Sequence, residues 1–170
     1  AALQLADSLR AMKKPLKIAI LEKGRNLSER SCPSAERNLA CAQCSPCSID
    51  CGWCGAGAFS DGKLTLSAEV GGFLDEYISK QELHKLIRMV DDIYVKFGAP
   101  TEVYGTDEEA IAQIEKKAVL ADLRLIPSRI RHLGTGRSRK VLQAMQDYLL
   151  AQGVEIYTRE EVAAIITRDG

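Results

Sequence analysis

All six cysteines of the chain lie in one segment, between Cys32 and Cys54. Four of them have the spacing CxxCxxCxxxC, and these are Cys41, Cys44, Cys47 and Cys51. This is the run by which thiolates hold cubane iron-sulfur clusters. Cys41, Cys44, Cys51 and Cys54 also form two CxxC pairs that would suit tetrahedral zinc. The spacing leaves a metal centre open as an alternative, while we favour a set of free thiols that line a loop beside the cofactor.

A carboxylate, Glu22, directly follows a short apolar run over residues 16–21. A dinucleotide-binding βαβ unit needs a strand, a glycine turn, a helix, and a second strand whose terminal acid holds the ribose hydroxyls. A helix from Ala2 to Met12, the strand over 16–21 and Glu22 match the last three parts. Counting back about twenty residues from the acid places the glycine turn at or before Ala1, so we expect this chain to lack it. The alternative is a solvated carboxylate at a strand end.

The segment GAGAFSDGK, residues 55–63, begins with small residues and ends with polar ones. Gly55 and Gly57 allow backbone amides to approach a phosphate or a flat ring closely, and Ser60, Asp61 and Lys63 add polar contacts. The alternative is a tight surface turn.

His132 lies in a basic stretch that also contains Arg129, Arg131, Arg137, Arg139 and Lys140. Such a stretch could bind an anionic substrate or neutralise a reduced flavin, which makes His132 a candidate catalytic residue. The alternative is a solvated entry to a helix, which we favour for Arg139 and Lys140.

The hydrophobic pattern predicts an alternation of helices and strands around these residues. Helices are predicted over 2–12, 80–97 and 136–152, with a further helix that begins at a capping box of Thr106 and Glu109. Ser79 and Glu82 form the capping box of the second helix. Strands are predicted over 16–21, 123–126, 154–158 and 162–167, and Asp169 with Gly170 forms a turn pair. Residues 26–60 have no sustained period and are expected to form an ordered loop.

The composition excludes several classes of partner. Lys plus Arg and Asp plus Glu both total 23, so no summed field attracts nucleic acid or an anionic membrane. No apolar run approaches about eighteen residues, and no signal peptide is visible. We therefore expect a cytoplasmic protein that binds neither nucleic acid nor membrane.

Four segments carry a family resemblance: LEKGRNLSER, CGWCGAGAFSDGKLTLSAEVGGFLDEY, KFGAPTEVYG and LRLIPSRIRHLGTGRS. With these segments, in this order, the chain resembles the large family of uncharacterised FAD-dependent dehydrogenases within the two-dinucleotide-binding-domain flavoproteins. Trp53 and Cys54 depart from it, because they stand where a Gly-rich continuation of the loop is expected.

The resemblance implies roles for individual residues. Glu22 and the adjacent Lys23 would hold the adenosine part of FAD, and Val162 would meet the adenine edge through its backbone. The residues that would lie against the dinucleotide or the flavin are Gly55, Gly57, Ser60, Asp61 and Lys63. Residues 131–135, which include His132, would approach the flavin from a substrate-binding region.

The predicted fold class is α/β, a partial Rossmann-type FAD-binding domain with an inserted helical and strand region of a substrate domain. Residues 1–78 and 153–170 would belong to the FAD-binding domain, and residues 79–152 to the substrate domain. The predicted function is that of a fragment of an FAD-dependent oxidoreductase whose small-molecule substrate and electron acceptor are unknown. The alternative is a Cys-rich module that binds an iron-sulfur cluster or zinc and serves as a structural or electron-carrying unit.

Overall fold

A computed structural model describes residues 1–13 and 16–167 of the chain. The described residues form helices and strands in mixed order, and the predicted α/β class is confirmed at that level. The helices are α1 Ala2–Ala11, α2 Pro33–Glu36, α3 Lys80–Lys96, α4 Glu108–Leu120 and α5 Thr135–Ala151. The strands are β1 Ala19–Glu22, β2 Lys63–Thr65, β3 Ile130–His132 and β4 Glu155–Thr158. Single 3₁₀ turns lie at Leu27–Glu29, Gly55–Phe59 and Leu74–Glu76.

The chain forms two compact units, the first from Ala1–Ser60 with Leu142–Gly170 and the second from Asp61–Val141. The predicted boundaries lay after residues 78 and 152, and the functions assigned to those parts remain predictions.

In the first unit, β1 pairs in parallel with β4, in a register that runs from Ala19 opposite Glu155 to Glu22 opposite Thr158. The pair is half-exposed, with Leu21 55% accessible. The strand predicted from the apolar run is therefore only partly covered, and it pairs in parallel with β4.

The core of the first unit lies where α1 meets the last turns of α5. Buried apolar side chains come from both helices and from the start of β4, and these are Ala6, Leu9, Leu142, Met145, Leu149 and Val154. At the rim of this core the Tyr148 hydroxyl donates a hydrogen bond to Asp7, and Arg10 donates to Gln152 at 3.2 Å. The helix predicted over 2–12 is thus confirmed, but it packs through Ala6 and Leu9, whereas Leu5 and Met12 of the predicted apolar face are exposed.

In the second unit, β2 and β3 form an antiparallel pair in which Lys63 lies opposite His132 and Thr65 opposite Ile130. Tyr104 adds a bridge on the other edge of β3, where it exchanges hydrogen bonds of 2.8 and 3.0 Å with Ile130. The long helix α3 begins as predicted, because the Ser79 hydroxyl accepts a hydrogen bond from the Glu82 N–H at 3.2 Å.

Two predicted features of the second unit were wrong. The cap of α4 is Asp107 and not Thr106, since the Asp107 carboxylate accepts from the Ala110 N–H at 2.9 Å. Residues 123–126 form no strand, because the Leu123 N–H is used to close α4 on the Ala118 carbonyl at 2.8 Å. Short strands β2 and β3 were not predicted.

Residues 162–167 are also irregular, and the predicted strand there was wrong. Ile165 and Ile166 are 87% and 94% accessible, so within the described ranges this apolar segment has no neighbouring strand to pair with. The predicted turn at Asp169 and Gly170 lies outside the described residues. No helix among the described residues is long and apolar enough to cross a membrane.

Candidate functional site

Glu22 ends β1 at the carboxyl edge of the parallel pair. One carboxylate oxygen, Oε1, accepts a hydrogen bond from the Gly24 N–H at 2.8 Å, which turns the side chain back over the loop that follows the strand. Oε2 accepts no hydrogen bond from the residues that the structure describes. The carboxylate is therefore oriented by its own backbone and keeps one oxygen available for a ligand hydroxyl.

The chain after β4 runs beside the chain after β1. The Glu160 N–H donates to the Glu22 carbonyl at 3.0 Å, and the Arg159 N–H donates to the Gly24 carbonyl at 2.8 Å. Lys23 reaches across to Glu161 with a 2.5 Å contact, and this hydrogen bond raises the pKa of Lys23 above its ordinary value. The structure thus brings Glu22 and Lys23 close to the segment that leads into Val162, which is 56% accessible.

Behind Glu22 the backbone of Gly24 lies directly against a second segment, at Cys51 and Gly52. A Cβ atom on Gly24 would lie 2.4 Å from the Gly52 nitrogen and 2.5 Å from the Cys51 carbonyl carbon. Arg25 and Gly52 form a parallel bridge, in which the Trp53 N–H donates to the Arg25 carbonyl at 2.9 Å. Only glycine at position 24 permits this approach.

The buried side chain of Arg30 fixes the segment from Ser48 to Gly55. Its guanidinium donates to four backbone carbonyls at 2.6 to 2.9 Å, those of Ser48, Ile49, Trp53 and Gly55. It also lies 4.7 Å from the centroid of the Phe59 ring. Because irregular backbone cannot pair its own carbonyls, a guanidinium with five donors supplies the missing partners.

Cys54 occupies the turn between this segment and the glycine-rich loop. Its φ of 73° lies in the left-handed region that favours glycine. The pKa of Cys54 is raised to about 12, mainly by burial. Nearby Arg30 opposes this rise, and the charge of Glu22 adds to it. The buried Trp53 indole N–H has no oxygen or nitrogen partner in the described ranges. Its interaction with the Cys54 thiolate lowers the pKa of Cys54. The thiol is therefore protonated at neutral pH and close to Glu22.

The loop Gly55–Phe59 continues from Cys54 as a 3₁₀ turn, closed by the Ser60 hydroxyl on the Gly57 carbonyl at 3.0 Å. A Cβ atom on Gly55 or Gly57 would meet nothing within 4 Å. At both glycines the side on which a Cβ atom would stand is therefore open, although their carbonyls already accept hydrogen bonds from Arg30 and Ser60. Cys54, which precedes the loop, is near enough to Glu22 for the carboxylate charge to raise the pKa of the thiol.

The remaining predicted polar residues lie together in the second unit. Lys63 contacts Asp61 at 2.8 Å, and this hydrogen bond, followed by the nearby charge of His132, lowers the pKa of Asp61. His132 is exposed and lies opposite Lys63 in the β2–β3 pair. The arrangement places an acid, a base and an imidazole on one short stretch of sheet.

Arg131, beside His132, is used for structure. Its guanidinium forks onto both oxygens of Asp91 at 2.5 and 2.7 Å and also donates to the Pro100 and Glu102 carbonyls. The Arg131 side chain is 6% accessible, and the hydrogen bond to Asp91 raises its pKa. This arginine joins β3 to α3 and is not available to a substrate.

All six cysteines are free thiols, with Cys41 and Cys44 exposed and Cys32, Cys47, Cys51 and Cys54 partly buried. Across residues 1–13 and 16–167, no three His, Cys, Asp or Glu side chains converge into a group that could hold a metal ion. The metal assignment of the CxxCxxCxxxC run therefore remains a prediction from spacing alone.

Sequence reasoning missed three residues that shape this region, namely Gly24, Arg25 and Arg30. The signal for the first two was present in the LEKGR run, where a glycine and a cation directly follow the candidate acid. Arg30 carried no local signal, because its carbonyl partners lie about twenty residues later in the chain.

Neither a comparison with protein-family models nor a comparison with curated proteins finds a match to this chain.

Proposed function

We propose that the chain is part of an FAD-dependent oxidoreductase, in which Glu22 binds the adenosine ribose of the cofactor. The observation that carries the proposal is the position of Glu22 at the carboxyl end of a parallel strand pair, directly after a helix. Open α/β sheets bind nucleotides at this edge. The finer prediction of a partial Rossmann-type domain belongs to this proposal, as does a cytoplasmic location.

The geometry around the carboxylate supports a ribose site. The bond from the Gly24 N–H fixes one oxygen of Glu22, while the other oxygen is free to accept from a vicinal hydroxyl pair. The segment leading into Val162 lies within backbone hydrogen-bonding distance of Glu22, where an adenine edge would be read. The same edge therefore offers acceptors for ribose and backbone groups for a base.

The flavin of bound FAD would supply the redox chemistry. The chain's own contribution in the first unit is to bind and orient the adenosine through Glu22 and to present the open backbone at Gly55 and Gly57. In the second unit Asp61, Lys63 and His132 keep their predicted cofactor-binding and catalytic roles. His132 would be the candidate catalytic residue, and Lys63 lies opposite it in the β2–β3 pair.

The test is FAD affinity, followed by flavin fluorescence over a range that extends to weak binding. Glu22→Ala should weaken FAD by about tenfold or more, because a charge-assisted hydrogen bond contributes about 1.5 to 3 kcal/mol. Glu22→Gln keeps an acceptor for the Gly24 N–H and should lie between the two. Comparison of Glu22→Gln with Glu22→Ala distinguishes the loss of the ribose acceptor from the loss of the hydrogen bond to the Gly24 N–H.

Glu160→Ala is the matched control, since it removes one exposed carboxylate from the adjacent loop while its backbone N–H still bonds Glu22. Equal FAD affinity in parent, Glu22→Ala and Glu160→Ala, with matching circular dichroism, would refute the ribose role. Failure of the parent to bind FAD saturably would refute the proposal as a whole.

The rival hypothesis, a Cys-rich metal module, predicts stoichiometric iron with acid-labile sulfide, or zinc, in protein prepared without oxygen. Cys44→Ser should then release the metal, because Cys44 belongs to both candidate ligand sets. A protein that contains no metal and binds FAD favours the flavoprotein.

A further inference from the structure

A cavity of about 340 Å³ lies in the first unit, beside the contact of Gly24 with Cys51. Its polar side chains come from the turn after β1 and from the cysteine-rich segment, and they are Arg25, Ser31, Ser45 and Ser48. Small-molecule sites begin at about 300 Å³. The cavity is thus large enough for a small ligand and is lined mainly by hydrogen-bond donors.

Arg25 is the lining residue that carries a formal charge at neutral pH. Its guanidinium makes no ion pair and no hydrogen bond with any described residue. A guanidinium presents donors in a planar fork that matches the oxygens of a phosphoryl group. A cation that is not neutralised by a carboxylate gives this cavity a positive potential.

The hydroxyls of Ser31, Ser45 and Ser48 surround the same space and are likewise not engaged by described groups. A hydroxyl can rotate to donate its hydrogen to an anionic oxygen. Three such donors and one guanidinium fit a tetrahedral anion with several acceptor oxygens. Hard cations such as Mg²⁺ and Ca²⁺ take carboxylate or carbonyl oxygens, and no carboxylate lines the cavity.

The walls are fixed by backbone contacts outside the cavity. Arg25 is held by its bridge with Gly52 and by the Trp53 N–H on its carbonyl at 2.9 Å. The Arg30 Nε–H donates a hydrogen bond to the Ser48 carbonyl at 2.8 Å, which fixes the backbone of Ser48. Because the backbone of these donors is already positioned, a ligand would pay a smaller ordering cost on binding.

We propose that this cavity binds a phosphoryl group, carried either by a separate small molecule or by the dinucleotide itself. The site goes beyond the flavin proposal, because Arg25 and the three serines have no part in holding the ribose. Inorganic pyrophosphate is a suitable probe, since it offers the shared chemistry of both sources.

Pyrophosphate binding is measured by calorimetry at low salt. Arg25→Gln should weaken binding about tenfold or more, through loss of a charge-assisted hydrogen bond, and Arg25→Lys should retain part of the affinity. Arg37→Gln is the matched control, because Arg37 is exposed on the same unit and does not line the cavity. A Ser45→Ala/Ser48→Ala variant gives a second test that keeps the charge.

Cys44 provides a readout on the unaltered protein, because it lines the cavity and is exposed, whereas Cys41 is exposed and does not line it. Pyrophosphate should slow alkylation of Cys44 by a thiol reagent, measured by peptide mass spectrometry, and leave Cys41 unchanged. Equal rates with and without pyrophosphate would overturn the proposal, as would equal affinity in the parent and Arg25→Gln proteins.

Competition separates the two sources. If pyrophosphate displaces FAD, the phosphoryl group is that of the dinucleotide, and if both bind together, it belongs to a separate small molecule. A protein that binds pyrophosphate through Arg25 but never binds FAD would refute the flavin proposal alone, and the reverse result would refute this one alone.

Discussion

Each unit contains one arginine that is almost completely buried, and the two are held differently. Arg30 of the first unit is 3% accessible and donates to four carbonyls of an irregular segment. Arg131 of the second unit is 5% accessible and forms a two-pronged ion pair with Asp91, supplemented by two carbonyls. Arg30 supplies the hydrogen-bond donors that the carbonyls of its segment lack, and Arg131 links β3 to α3.

The difference shows what a buried guanidinium can stabilise. Strand β3 and helix α3 pair their own backbone groups, so Arg131 contributes mainly the link between them. The segment from Ser48 to Gly55 lacks a regular ladder, and buried carbonyls without partners are costly. Arg30 therefore determines the local conformation itself, including the path of the loop beside Glu22.

The largest effect is expected on breaking the ion pair of the second unit. Arg131→Met leaves the Asp91 carboxylate, whose side chain is 15% accessible, without its partner, and breaking a buried pair costs at most about 3 to 5 kcal/mol in the free energy of unfolding. Urea unfolding followed by far-ultraviolet circular dichroism measures the loss. Arg131→Met combined with Asp91→Leu should recover a large part of it, since the uncompensated charge is then gone.

If the double variant is no more stable than Arg131→Met alone, the carbonyl contacts to Pro100 and Glu102 carry the stability and the ion pair does not. That result would make the two arginines alike and remove the contrast between the units.

A smaller effect is expected at Arg30. Arg30→Lys keeps the charge but cannot reach four carbonyls at once, so it leaves buried acceptors unpaired at a cost of about 1 to 3 kcal/mol. Trp53 is the only tryptophan of the chain and is 9% accessible in the same segment, so its emission reports the change locally. A shift of that emission to longer wavelength is expected in Arg30→Lys.

Arg37→Lys is the control for this substitution, because Arg37 is exposed and surface changes of this kind alter stability by no more than about 0.5 kcal/mol. Unchanged Trp53 emission and stability in Arg30→Lys would show that a single ammonium suffices, and that the fork geometry of Arg30 does not hold the segment.

The same contrast explains how much the sequence could predict of the fold. The helices over 2–12, 80–97 and 136–152 were predicted because their apolar spacing is local and repeats over several turns. Strands β2 and β3 were missed because each has three residues and pairs with a segment far away in the chain. The apolar stretches over 123–126 and 162–167 were wrongly predicted as strands, since an apolar run does not show whether a partner strand exists.

Part of the candidate site could likewise be predicted from the sequence, and part of it could not. The order helix, strand and acid identified Glu22 from the sequence, and the structure brings Lys23 and the segment before Val162 close to it. The requirement for glycine at position 24 could not be predicted, because it arises from contact with Gly52. The binding roles of these residues stay predictions that the FAD measurements address.

The smallest effect, on reactivity rather than stability, concerns Cys54, which reports the charges around Arg30 and Glu22. With a pKa of about 12, the thiolate of Cys54 is scarce at pH 8, so iodoacetamide should alkylate Cys54 far more slowly than the exposed Cys41. Raising the pH should increase the Cys54 rate steadily up to pH of about 11, whereas the rate for N-acetylcysteine levels off above about pH 9.5.

Two neighbouring charges shift the pKa of Cys54 in opposite directions. The Glu22 carboxylate raises the pKa of Cys54 and Arg30 lowers it. Glu22→Gln should therefore lower the pKa of Cys54 and speed its alkylation at a fixed alkaline pH, while the exposed change Glu160→Gln should not. Since burial is the largest cause of the raised pKa, both proteins should still react more slowly than N-acetylcysteine at pH 8. A Cys54 rate that levels off with that of N-acetylcysteine would mean that the thiol is solvated, and that the loop beside Glu22 is not held closed by Arg30.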